Sequence, residues 1–360
     1  MIGVPVTLDD RTIARWRLRS QHLVAPYAAG AAGIVDHPLA VQAENPSQSA
    51  WAVGSRTAAS DPADLADLLH SGAVLRTHVL RPTWHYVAAA DVRWLVELTA
   101  PRVRKTYAAR LAGGLDGEAA VLLDALAEGA PLDRPALAAR LEEAGRPLTG
   151  MQLMLLLADL EMQRLVVSGP PANGVHTYAP FDDRVHGARS LDREEALAEL
   201  ARRYVTGHGP ATERDLAYWA TLTLTDVRRG LAAAGDAIAS FEHGGRTYRY
   251  APDQSPPARV EPAGHLLQIL DEMYRGYQDS RMVLDTAGAV PTGRETAIGM
   301  ALVDGQLVAS MKREVGRDRV TFTLTPYASW TPACAAAVED AAARYGAFLG
   351  LDPVVAHNRT

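Results

Sequence analysis

The chain of 360 residues is long enough for two to three domains of ordinary size. Hydrophobic residues make up 48% of it and charged residues 22%, which excludes disorder of the whole chain. The single cysteine, Cys334, excludes a disulfide scaffold and a cysteine-rich zinc site. No apolar run approaches the roughly 20 residues that a transmembrane helix needs, and the first residues lack the pattern of a signal peptide. We therefore expect a soluble, cytoplasmic protein.

The formal net charge of −6 argues against a uniformly basic coat for nucleic acid, although it leaves room for a local basic channel. Lys105 and Lys312 are the only lysines, so 36 − 2 = 34 of the cations are arginine. Arginine is well suited to phosphate, but a GC-rich genome produces the same bias. The total count therefore predicts little about function.

The N-terminal part, residues 1–114, is the least regular. Its first segment, up to residue 23, reads as a helix, and residues 61–72 read as another. The segments VLRTHVL and TWHYVA form a strand pair, and residues 91–111 form a linking helix. The pattern of helices followed by a hairpin predicts a first winged-helix unit with a linker.

The next two parts repeat this pattern more clearly. Residues 115–189 contain apolar-periodic helices at 118–129, 133–145 and 149–163, and then two strands around the turn PPANG. Residues 190–258 contain helices at 191–209, 212–220 and 223–235, and then two strands joined by Gly244-Gly245. Thr212 and Asp215 have the spacing of a capping box. Three helices with a hairpin are typical of the winged-helix fold, which most often binds nucleic acid or protein.

The last part, residues 259–360, is mixed. Strands are predicted near 283–285 and over 296–305, 306–314 and 319–326, and one helix over 331–350. The fold class is thus α+β, with three tandem winged-helix domains and a β-rich C-terminal region. Three such units in one chain suggest a surface that follows one side of a duplex, although tandem winged helices also occur in protein-only scaffolds.

Four segments resemble a known family: HPLAVQAENPSQSAWAVGSR, LRTHVLRPTWHYVAAADVRWL, YVTGHGPATERDLAYWATL and LLQILDEMYRGYQDSRMVLD. They are similar, in order and from about residue 9 to about residue 350, to the winged-helix DNA glycosylases typified by AlkZ and YcaQ. The resemblance implies a C-shaped DNA-binding channel and hydrolysis of the N-glycosidic bond of N7-alkylated purines, including interstrand crosslinks. Some relatives confer self-resistance on producers of DNA-alkylating antibiotics. The expected partner is double-stranded DNA carrying alkylated purines, and the expected state is a monomer without cofactor or metal.

The family's catalytic motif is Gln-x-Gln or Gln-x-Asp, and the matching residues are Gln42, Ala43 and Glu44. The third position departs from the family because Glu is one methylene longer than Asp. An N7-alkylated purine is cationic and leaves without protonation, so the site needs to stabilise a developing sugar cation and direct a water at C1′. Glu44 suits both tasks, and the amide of Gln42 can hold the same water. Taken without the family, the two residues would read as solvated surface.

Further candidates are Thr83 and His85, which lie at a strand start and would support the active site or bind a phosphate beside the lesion. The alternative is that Thr83 caps a turn and His85 is a satisfied core histidine. The candidate DNA-binding cations are Arg15, Arg17, Arg19, Arg104, Lys105, Arg228 and Arg246. For each of them, a solvated helix face is the competing interpretation.

The acidic residues Asp271, Glu272, Asp279 and Asp285 raise the possibility of a metal site, but their segment also looks like a structural signature of the relatives, and we expect no metal. A lyase step is not expected because no lysine lies near the motif. The competing functions are a non-catalytic winged-helix DNA-binding protein, such as a lesion sensor or transcription regulator, and a protein-interaction scaffold. A carboxylate in a phosphate-facing cleft favours the enzyme.

Overall fold

A computed structural model describes residues 8–25, 27–108, 114–257, 263–291 and 299–358. Over these ranges the chain has the predicted mixed α+β class, with helices and four separate sheets. Within the described ranges, no helix is long and apolar enough to cross a membrane.

The first part begins with α1 (Asp10–Ser20), whose N-cap Asp9 accepts a hydrogen bond from the amide of Thr12. It continues with α2 (Ala31–Asp36), β1 (Ala40–Gln42), α3 (Pro46–Gly54), α4 (Pro62–Ser71), β2 (Val74–Val79) and β3 (Thr83–Ala88). The three strands form an antiparallel sheet in the order β1-β3-β2. The linking helix α5 (Ala89–Ala108) follows, and the last residues of the predicted helix, 109–111, lie outside the described ranges.

The second part consists of α6 (Asp116–Ala127), β4 (Leu132–Asp133), α7 (Arg134–Glu143), α8 (Gly150–Met162), β5 (Val166–Ser168), β6 (Thr177–Pro180) and the short α9 (Phe181–Arg184). Its strands are ordered β4-β6-β5, which is the same arrangement as in the first part. Leucines at helical spacing form a separate small core, with Leu122, Leu137 and Leu157 almost fully enclosed.

The third part consists of α10 (Arg193–His208), α11 (Glu213–Ala220), α12 (Leu224–Ala233), β7 (Ala239–His243) and β8 (Arg246–Tyr250). The predicted capping box of Thr212 and Asp215 is confirmed at the start of α11. Ala211 pairs with Arg249 as an isolated bridge, in the place that a short strand takes in the first two parts. The order helix, single strand or bridge, two helices, hairpin therefore occurs three times.

The last part comprises β9 (Gly264–Leu267), α13 (Glu272–Arg275), α14 (Arg281–Leu284), β10 (Gly299–Val303), β11 (Gln306–Val315), β12 (Arg319–Pro326), α15 (Pro332–Leu349) and β13 (Asp352–His357). They form a five-stranded sheet in the order β13-β12-β11-β10-β9, in which only the β12–β13 pair is parallel. The strand predicted near 283–285 is wrong, because Val283 and Leu284 belong to α14, where Arg281 pairs with Asp285 one turn later. Residues 296–298 of another predicted strand lie outside the described ranges.

Aromatic packing joins the first part to the last. The indole of Trp51 in α3 stacks on Tyr345 of α15 with ring centres 4.3 Å apart, and its Nε1 donates to the carbonyl of Leu266. A second core includes Trp94 of α5, Tyr204 of α10 and Trp219 of α11. These contacts hold β1, β3 and the segment 271–277 together, and this is where the candidate catalytic motif lies.

Candidate active site

Gln42 is the last residue of β1 and lies opposite His85 of β3. Its side chain is 5% exposed, and its Nε2 is 3.4 Å from the hydroxyl oxygen of Thr83. The amide oxygen Oε1 is buried and accepts no hydrogen bond from any described residue. A buried oxygen of this kind is costly unless a ligand or water supplies a donor.

Glu44 is exposed, and its Oε2 accepts a hydrogen bond of 3.2 Å from the amide of Trp84. Between the two motif residues, the amide of Ala43 donates to the carbonyl of Trp84, so the pairing of β1 with β3 continues past Gln42. β1 ends at Gln42, and Glu44 and Asn45 form a bend before Pro46 begins α3, so the motif ends in an irregular, Pro-flanked segment.

Arg76 of β2 holds the backbone of the motif by hydrogen bonds, and the sequence analysis did not identify it. Its guanidinium is 8% exposed, and it donates to the carbonyls of Ala43 at 2.8 Å and Glu44 at 3.2 Å. It also lies 4.7 Å from the ring centre of Trp84. The signal that could have identified it is an arginine inside a predicted strand of the core, because a charge that is buried there needs partners.

Glu272 supports the opposite side of β1. Its Oε1 accepts a hydrogen bond of 3.0 Å from the amide of Gln42, which points away from the sheet because β1 is an edge strand. The same carboxylate accepts from Arg81, Trp219 and His208.

Burial is the largest single influence on Glu272 and by itself would raise its pKa. The hydrogen bond from His208 and the charge of Arg81 outweigh it and hold the pKa at about 2. A permanent negative charge therefore lies behind the motif.

His85 is completely enclosed. Its Nδ1 lies 2.9 Å from the carbonyl of Thr83, and its Nε2 lies 3.4 Å from the guanidinium of Arg81. Burial, and then the charge of Arg81, lower the pKa of His85 to about 3, so the imidazole is neutral at physiological pH. The expectation that His85 binds a phosphate is therefore wrong for this arrangement, whereas Thr83 is half-buried and contacts Gln42 directly.

The structure separates the candidate DNA-binding cations into distinct groups. Arg17 is a correction: it is 1% exposed, donates to the carbonyl of Pro210 and lies 3.7 Å from the ring centre of Tyr277, so it cannot reach a phosphate. Three others are held by carboxylates, namely Arg15 by Asp304, Arg104 by Asp159 and Arg228 by Glu213.

Arg19, Lys105 and Arg246 are exposed, and their side chains form no hydrogen bond or ion pair with a described residue. Arg246 borders an open groove of about 750 Å³ between the start of α11 and the β7–β8 hairpin. Arg214 and Arg249 also line this groove, together with Glu213 and Asp215. Of the seven predicted cations, Arg19, Lys105 and Arg246 are thus the three whose side chains are not engaged by another described residue.

Three of the four acidic residues raised as metal candidates have other partners, and the fourth, Asp279, is exposed. Asp271 binds both Nη atoms of Arg56 at 2.9 and 2.7 Å, and Glu272 lies in the network described above. Asp285 pairs with Arg281. Among the described residues, no group of three or more acidic, histidine or cysteine side chains is arranged to hold a metal ion.

The buried network of Glu272 thus lies behind the edge strand that ends at Gln42, and the carboxylate of Glu44 follows two residues later. The family model for AlkZ-like DNA glycosylases matches residues 35–348, most of the chain, so the chain belongs to the AlkZ-like DNA glycosylase family. It is a DNA glycosylase and therefore a hydrolase.

A solved structure, that of the Streptomyces sahachiroi DNA glycosylase AlkZ, is similar to it with a TM-score of 0.77. The two sequences are 19% identical, and the match covers 98% of this chain and 100% of the other, which shows a shared fold. No curated protein sequence matches the chain significantly.

Proposed function

We propose that this DNA glycosylase hydrolyses the N-glycosidic bond of N7-alkylated purines, with Gln42 and Glu44 as its catalytic residues. The observation that carries the proposal is the pair of oxygens at the end of β1. The buried Oε1 of Gln42 has no donor among the described residues, and the exposed carboxylate of Glu44 is held in place by Trp84. In this proposal, one water molecule donates a hydrogen bond to each of these two oxygens.

The reaction needs no general acid. As the C1′–N9 bond breaks, its electron pair neutralises the cationic purine, which leaves as an uncharged base. The water oxygen forms the new bond to C1′, and its proton passes to the Glu44 carboxylate and then to solvent. The same carboxylate faces the positive charge that develops on the sugar. Thr83 is a positioning residue in this scheme because it holds the amide of Gln42.

The enzyme is monofunctional in this proposal, since a lyase step requires an amine for a Schiff base. Lys105 lies on the exposed side of α5 and Lys312 on the exposed part of β11, and neither lines the small cavity beside Gln42. An abasic site, with the strand intact, is the expected product.

The thrice-repeated element order supports three winged-helix domains at residues 1–114, 115–189 and 190–258, followed by the sheet domain at 259–360. We propose that they surround a C-shaped channel for double-stranded DNA, with Arg19, Lys105 and Arg246 contacting phosphates. The enzyme acts as a cytoplasmic monomer in base excision repair in this proposal. Unhooking of interstrand crosslinks and self-resistance to a DNA-alkylating antibiotic extend the same chemistry to bulkier lesions.

The test is incubation of the protein with a duplex that contains one N7-methylguanine, followed by alkaline cleavage at any abasic site. Release of the base without strand cleavage before alkali supports a monofunctional glycosylase. Tight binding of the damaged duplex without base release would contradict the proposal and favour a lesion sensor.

A further inference from the structure

A cavity of about 430 Å³ lies directly beside the candidate catalytic turn. Pro46, two residues after Glu44, forms part of its rim. Arg76 lines it and at the same time donates to the carbonyls of Ala43 and Glu44. By contrast, the cavity that Gln42 itself lines has a volume of about 10 Å³, the size of one water molecule rather than of an organic group.

The larger cavity lies between the first and second parts of the chain. Leu65 and Leu69 of α4 and the ring of Tyr86 form its apolar walls, and Pro171 and His176 close it from the β5–β6 loop. Its volume falls in the range of sites that take up small organic ligands. Neither catalytic side chain lines it, so hydrolysis itself leaves it unused.

In the proposed reaction, the substituent on N7 starts close to the candidate catalytic residues. In a purine only C8 separates N7 from N9, the atom whose bond to C1′ is broken. Whatever the path of the DNA, a group on N7 therefore begins within a few bonds of the water held by Gln42 and Glu44. A methyl group needs little additional space, whereas a larger group that is shielded from solvent needs a neighbouring cavity.

The polar groups of the cavity indicate what kind of substituent fits. Arg76 is buried, and its bonds to Ala43 and Glu44 use two of the five N–H donors of a guanidinium; the others have no acceptor side chain or carbonyl among the described residues. The Nε2 of His176 is buried without a partner. Burial lowers the pKa of His176 well below its usual value, so the imidazole is neutral and compatible with apolar walls.

We propose that this cavity binds the N7 substituent of the damaged purine, and that it favours an apolar group that carries an acceptor oxygen. The walls desolvate the carbon framework of that group, and Arg76 donates a hydrogen bond to its oxygen. This inference rests on the proposed function, because it assigns a second part of the same lesion to a second site.

The experiment compares three duplexes that each carry one modified guanine: N7-methyl, N7-(2-phenylethyl) and N7-(2-oxo-2-phenylethyl). The last two differ chiefly in the carbonyl oxygen. Every single-turnover excision rate is divided by the spontaneous depurination rate of the same duplex, which removes differences in leaving-group chemistry. The wild type is expected to favour the oxo substituent over phenylethyl, and both over methyl.

Ala66→Phe fills the mouth of the cavity from the exposed side of α4. It should lower the ratio of the aryl rates to the methyl rate by at least about tenfold, the usual scale of discrimination by an apolar pocket. The matched control is Ala63→Phe, which adds the same ring on the same helix at an exposed position that does not line the cavity. It should leave that ratio unchanged.

If Ala66→Phe left the ratio of the aryl rates to the methyl rate unchanged, the cavity assignment would be overturned. An equal fall of this ratio in Ala63→Phe would overturn it as well. Equal normalised rates for the phenylethyl and oxo lesions in the wild type would overturn the role of Arg76 as a donor. If the wild type excises none of the three bases, the proposed function fails and this inference fails with it. Excision of N7-methylguanine without any preference for aryl lesions would overturn only the inference.

Discussion

Replacing Glu44 with glutamine isolates the charge of the carboxylate from its shape. Glutamine keeps an acceptor oxygen for the amide of Trp84, which lies 3.2 Å from Glu44 Oε2, and it preserves the length of the side chain. The position is exposed, so the substitution should not affect folding. What disappears is the ability to accept a proton from water and to face a developing sugar cation.

We expect Glu44→Gln to lower single-turnover excision of N7-methylguanine by at least about a hundredfold, the lower end of a general-base contribution. This factor corresponds to about 2.7 kcal/mol of transition-state stabilisation, at about 1.36 kcal/mol per factor of ten. DNA affinity, measured by fluorescence anisotropy on an undamaged duplex, should be unchanged or improved, because a negative charge is removed from a surface that faces phosphates.

Glu44→Ala must be measured beside Glu44→Gln, because the family motif also occurs with glutamine at its third position. An active Gln variant beside an inactive Ala variant would show that the residue positions water and that the general-base role is wrong. Full activity of both variants on a lesion that the wild type excises would refute the assignment of the motif as catalytic.

Gln42→Ala should reduce excision by about a hundredfold or more. Thermal stability should change little, because Oε1 has no hydrogen-bond partner among the described residues and the bond from Nε2 to Thr83 is long at 3.4 Å. A large fall in Tm would indicate a structural role instead. Because the pKa of Glu272 lies near 2 rather than at its ordinary 4.5, its charge stabilises the fold fully above pH 4.5, and this contribution is lost as the pH falls towards 2. In urea unfolding, the free energy of unfolding of Glu272→Gln should therefore fall by roughly 3 kcal/mol less than that of the wild type between pH 4.5 and 2. An equal fall in both proteins would contradict the proposed role of the Glu272 charge. Arg19→Ala and Lys105→Ala should each reduce the salt dependence of DNA binding by about one phosphate contact without altering stability. Arg17→Ala should instead destabilise the fold by about 3 kcal/mol, because it leaves a buried network unpaired. If Arg17→Ala weakened DNA binding without lowering Tm, or Arg19→Ala lowered Tm without affecting DNA binding, the distinction between buried and exposed cations would be wrong.

Local signals in the sequence were sufficient to predict the helices and strands of the repeated units. The capping residue Thr212, the helical spacing of leucines in the second part and the Gly244-Gly245 turn depend on residues a few positions apart, and the structure forms those elements where they were predicted. The strand β12 was predicted with its observed bounds for the same reason, because alternation is a local property. The short helix α14 was missed because an apolar triplet is compatible with either structure.

The candidate site was predicted only in part. Gln42 and Glu44 were identified through their motif, but Arg76 and Glu272 approach them from 33 and 230 residues away in the sequence. Likewise, nothing local distinguishes the buried Arg17 from the exposed Arg19, two residues later on the same helix. A sequence determines which side chains carry charge and how they alternate along an element. Which charges are buried, paired or free depends on the elements packed against them, and only the tertiary structure decides that.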